Sequence, residues 1–130
     1  MMSSYTRRAA IAALAGLIIA CSNNPSVPSP GDTPSVQTNT ITITSSGASP
    51  RNIQIAAGTR VLFVNNDSRS HNMTSDPHPS HTDCTDINQV GFLSTGQSRE
   101  TGNLVTVRTC GFHDHDSPSQ ANLQGQIVIR

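Results

Sequence analysis

Aromatic residues make up only 3% of this 130-residue chain, with no tryptophan, one tyrosine and three phenylalanines. Formal net charge is zero, from eight basic and eight acidic side chains. No basic stripe of the kind that follows a phosphate backbone is present. A nucleic acid is therefore excluded as a partner. No Gly-x-Ser-x-Gly frame that would hold a nucleophile occurs, and nothing else in the chain marks an enzyme. After the first twenty residues no helical period is visible, and no internal repeat is found.

Long apolar runs are also missing, with one short exception at the start. Arg7-Arg8 precede an apolar stretch from Ala9 to Ala20 that ends at Cys21. A basic segment, an apolar stretch of this length and a small residue before the cut read as an export signal over residues 1–20. The stretch is too short to span a bilayer comfortably. Its ending, Ile18-Ile19-Ala20-Cys21, resembles a bacterial lipobox, which implies that Cys21 carries lipid. Residues 21–39 are rich in Ser, Pro, Asn and Thr and read as a flexible tether. Residues 40–130 remain for one small folded domain. The expected place is the cell envelope, lipid-anchored on the outer-membrane or periplasmic side or on the extracellular face. The molecule is expected to be a monomer.

The folded part reads as all-β. Thr40-Ile41-Thr42-Ile43-Thr44 alternates polar and apolar, as a half-buried strand does. Ile53 and Ile55 share one face of a second strand. Val61 to Val64 is nearly continuous and apolar, which suits a strand buried on both faces. His71 to Thr74 could extend it beyond a bend at Asn65-Asn66-Asp67. Ser75 to Asn88 shows no period and reads as a long functional loop. Leu104 to Thr109 alternates and leads to Cys110, and Gln126 to Arg130 closes the sheet. Short strands separated by turns favour a Greek-key β-sandwich or barrel.

All five histidines of the chain fall in two stretches, His71/His78/His81 and His113/His115. Two thiols remain once Cys21 is set aside, Cys84 and Cys110. In an oxidising compartment an even pair defaults to a disulfide. His78 and His81 offer a second metal site or a hydrogen-bonding support for the first. Asp114 and Asp116 flank His115 and read as solvated loop acids or as groups that orient an imidazole.

Gly58-x2-Val61-x-Phe63-x-Asn65 before His71, together with Cys110-x2-His113 and the closing strand, gives residues 40–130 a resemblance to the cupredoxins, the plastocyanin-like and azurin-like copper proteins. The resemblance implies an eight-stranded Greek-key sandwich with copper at one end. It implies single-electron transfer to a redox partner protein. It also implies that His71, Cys110 and His113 hold the ion, with His115 the alternative to His113. One thiolate and two imidazoles suit a copper ion that cycles between two oxidation states. The usual axial methionine is missing from the loop after His113, and Gln120 is the candidate to replace it. A Cys84–Cys110 disulfide would instead remove the thiolate. It would leave a domain that binds copper through histidines for buffering or transport, or an interaction module without metal.

Overall fold

The computed structural model describes residues 36–130. The export signal, Cys21 and most of the expected tether lie outside the described residues. Ten strands are present: β1 (Val36–Gln37), β2 (Thr40–Thr44), β3 (Gly47–Ser49), β4 (Asn52–Ile55), β5 (Leu62–Asn65), β6 (His71–Ser75), β7 (Gly91–Leu93), β8 (Ser98–Glu100), β9 (Thr109–Asp114) and β10 (Gly125–Ile129). Two short 3-10 helices, Thr85–Gln89 and Ala121–Leu123, sit in the connections. One sheet has the order β1-β4-β10-β9-β6-β7 and the other β3-β2-β5-β8. The first strand lies inside the stretch read as tether, where Val36 and Gln37 pair in parallel with Ile53 and Gln54.

The two sheets pack through side chains at alternate positions. Ile41 and Ile43 of β2 and Phe63 of β5 face Ile53 of β4, Phe112 of β9 and Ile127 of β10, all fully buried. Phe63 and Phe112 meet edge to face, ring centroids 5.3 Å apart, and join the sheets at their middle. The inner face of the larger sheet is therefore the one that carries Phe112.

Three expectations change. Val61–Val64 does not form a strand buried on both faces. β5 alternates, with Phe63 and Asn65 buried and Leu62 and Val64 half-buried, because its sheet has one face on the core. His71 does not extend β5, since the bend at Asn65–Asp67 carries the chain across to the other sheet. Residues 104–108 form no strand beyond an isolated bridge from Leu104 to Thr59, and Val105 and Val107 are exposed. The strand starts only at Thr109, so Cys110 and His113 lie within β9 instead of in a turn after it.

Candidate metal centre

β9 pairs antiparallel with β6 in the register Met73 with Asp114, Thr74 with His113 and Ser75 with Phe112. Partners in register point to the same face, and neighbours along a strand point to opposite faces. Cys110, Phe112 and Asp114 therefore look toward the core, together with His71 and Met73. Gly111 and His113 look outward, together with Thr74. His71 and Cys110 thus lie on one side of the sheet and His113 on the other, and the three cannot share an ion.

On the core side, Cys110 is bonded to Cys84 as a disulfide. This forecloses a thiolate at Cys110. His71 is also spoken for. Its Nδ1 lies 2.8 Å from Asp114 Oδ2 and its Nε2 lies 3.0 Å from Asp67 Oδ2. All three side chains are almost completely buried. Neither ring nitrogen of His71 is left to turn toward a metal, so it is a structural residue that couples the bend after β5 to β9. Asp114 completes the coupling by accepting the backbone N–H groups of Asn72 and Asp116. The hydrogen bond to His71 holds the Asp67 carboxyl below the usual carboxylate range, helped by the Ser68 amide and Arg69 and opposed by burial. Gln120 is exposed at the start of the short helix Ala121–Leu123, its backbone N–H donating to the Ser117 carbonyl. Met73 is fully buried in the core.

On the outer side the remaining histidines assemble. His113 is buried beneath the segment that follows β6. That segment turns back on itself: the His81 N–H donates to the Pro77 carbonyl and the Asp83 N–H to the Asp76 carbonyl, both at 2.8 Å. The Asn88 side chain clamps its ends, accepting from the Ser75 N–H and donating to the His81 carbonyl. His81 itself adopts a positive φ of 50°, a conformation uncommon outside glycine that turns its ring back over β9. One ligand atom each from His78, His81 and His113 falls within 4.8 Å of the others. His115 joins this group. Its ring centroid is 5.0 Å from that of His81 and 5.1 Å from that of His78, and its Nδ1 is 2.9 Å from His81 Nε2.

Two rings are oriented from behind. His81 Nδ1 lies 2.8 Å from the Ser75 carbonyl oxygen, which can only accept, so Nδ1 carries the proton and donates. His113 Nδ1 lies 2.6 Å from Asp76 Oδ1. A ring tied through Nδ1 to an acceptor turns its Nε2 lone pair to the opposite side, the arrangement usual behind metal-bound imidazoles. Here His81 Nε2 faces His115 Nδ1 at 2.9 Å and His113 Nε2 lies 3.5 Å from Thr74 Oγ1, contacts that a bound ion would replace. His78 is exposed at the rim. Desolvation, together with the neighbouring His115, His113 and His81, lowers its pKa and favours the neutral, ligating form. Four imidazoles form a nitrogen-donor set suited to copper or zinc.

The sequence brought out all of these histidines but grouped them differently. Asp76 and Asp67, one behind His113 and the other against His71, were not singled out. An acid in a loop carries no signal until the register shows what lies beneath it.

No protein-family model and no curated protein matches the chain. Solved structures do. The chain is similar to the purple cupredoxin from Nitrosopumilus maritimus at 21% identity, covering 72% of this chain and 100% of that one, with a TM-score of 0.56. Oxidized plastocyanin from Dryopteris crassirhizoma is 20% identical, with 70% and 99% covered and a TM-score of 0.55. A Cu(I) form of an amicyanin variant is 13% identical, with 70% and 80% covered and a TM-score of 0.55. With two facing sheets, no α-helix among the described residues and these neighbours, the chain has the cupredoxin fold.

Proposed function

We propose that this protein is a copper-binding cupredoxin-fold domain that holds its ion through His78, His81 and His113, with His115 as fourth donor, and that it carries or buffers copper. The blue-copper donor set does not fit these residues, because Cys110 is consumed in a disulfide and His71 in a carboxylate sandwich. An all-imidazole set does fit, and the convergence of three histidines within 4.8 Å is the observation that carries the reading. At such a site copper(II) binds more strongly than the other divalent first-row ions. The protein's own part is to turn the imidazoles toward one another and to hold them on a strand and the loop that covers it. The disulfide supports a place in an oxidising compartment. The lipobox-like end at Cys21 supports a lipid anchor there.

A copper(II) titration of the mature domain, followed by visible and electron paramagnetic resonance spectra, tests this. The expected result is one ion bound with little colour and a nitrogen hyperfine pattern, both kept in Cys84→Ser/Cys110→Ser and lost in His81→Ala/His113→Ala. An intense thiolate-to-copper band in the wild type would defeat the reading. The cupredoxin fold itself favours a second one, single-electron transfer at the same centre. Reversible one-electron voltammetry of the loaded protein separates the two.

A further inference from the structure

We propose that Asp76 is a positioning residue of this centre, fixing the His113 imidazole so that its Nε2 lone pair faces the cluster before any ion arrives. Its action on copper rests on the histidine-bound reading above, whereas its action on the ring does not.

Three observations converge. The first is the contact itself, Asp76 Oδ1 at 2.6 Å from His113 Nδ1, with Asp76 half-exposed and His113 buried. A carboxylate only accepts at this contact when ionised, so the ring must present Nδ1–H to it. The second is the position of the Asp76 backbone. Its N–H donates to the Gly111 carbonyl at 3.0 Å and its carbonyl accepts the Asp83 N–H at 2.8 Å. The carboxylate is thereby carried across β9 at the residue two before His113, on the same outward face. The third is Gly111. A Cβ built there would clash with Asp76 Oδ2. β9 therefore has a glycine where the Asp76 carboxylate crosses the strand on its way to the ring. The three atoms nearest to that Cβ all belong to Asp76, so a side chain at 111 would push the carboxylate off His113.

A carboxylate behind an imidazole fixes its tautomer and raises its basicity, and loss of such a partner typically weakens metal binding by roughly 10–100-fold. Asp76→Asn keeps an accepting oxygen but removes the charge. Asp76→Ala removes both. Gly111→Ala displaces the carboxylate and leaves its chemistry intact.

The deciding experiment uses nitrogen-15 imidazole spectra of the metal-free protein, followed by copper(II) titration of the same samples. In the wild type His113 should show a protonated Nδ1 with a slowly exchanging downfield proton. Asp76→Ala and Gly111→Ala should lose that proton and weaken copper binding by roughly 10–100-fold, with Asp76→Asn between them and the wild type. The copper midpoint potential should rise in the same order, because a less basic imidazole stabilises copper(II) less. A folded Asp76→Ala or Gly111→Ala with an unchanged His113 ring pattern would overturn the proposal. So would unchanged copper affinity in a variant that had lost the downfield proton. Should the wild type bind no copper, the metal reading falls, while the ring spectra still decide the Asp76–His113 pairing.

Discussion

The histidines of this chain divide into two chemistries one residue apart. His71 faces inward between Asp67 and Asp114, while His113, one position before Asp114, faces outward toward His78 and His81. The carboxylates make the difference. Two of them hold both nitrogens of His71, whereas one holds Nδ1 of His113, whose Nε2 meets only the Thr74 hydroxyl at 3.5 Å. The Asp67 interaction has a pH signature. Its carboxyl is held below the usual range by the hydrogen bond to His71. A depressed carboxyl stabilises the fold fully above its unfolded-chain pKa, and the contribution is lost as pH falls through the lower folded value. Thermal unfolding of wild type and Asp67→Asn should therefore differ most at neutral pH and converge below roughly pH 4. A gap that stayed constant down to pH 2 would show that the carboxylate's charge is not what matters.

At the scale of elements, the centre is made by joining one strand to one loop. Cys110 lies three positions before His113, and Cys84 lies three positions after His81, so the disulfide fastens the strand half of the cluster to the loop half. Asp83 and Arg108 form an ion pair beside it. A cross-link of this span contributes roughly 3 kcal/mol to stability. Cys84→Ser/Cys110→Ser should lose about that much in chemical denaturation and bind copper more weakly, with its nitrogen hyperfine pattern unchanged. If affinity were untouched, the loop would be held by Asn88 and Asp76 alone. The same element explains what the sequence could and could not show. Alternation in Thr40–Thr44 and the apolar character of Val61–Phe63 were enough to give the sandwich. Alternation over Leu104–Thr109 points to a strand that ends at Cys110, with Cys110-x2-His113 beyond it. In fact Val105 and Val107 are exposed in residues without a ladder, and the strand begins later. A shift of the strand's start, invisible without its partner β6, puts a Cys and a His three residues apart on opposite faces. Asp76 carries no signal in the sequence for the same reason, since its relation to His113 exists only once β6 and β9 are in register.

For the molecule as a whole, the sandwich supplies a stiff outer face and the cluster lies on it under a single loop. Three of the four imidazoles are at least partly covered, while His78 is exposed. That asymmetry bears on kinetics more than on affinity. An ion held by unequally accessible donors leaves by the one that a competitor can reach, so release should proceed by substitution at His78 instead of by opening of the fold. Copper removal by a small chelator should then be first order in chelator. His78→Ala should speed removal more than it weakens equilibrium binding, while His113→Ala should do the reverse. The exposed ring is the molecule's exit door, and whatever protein receives the ion would have to present its own donor there.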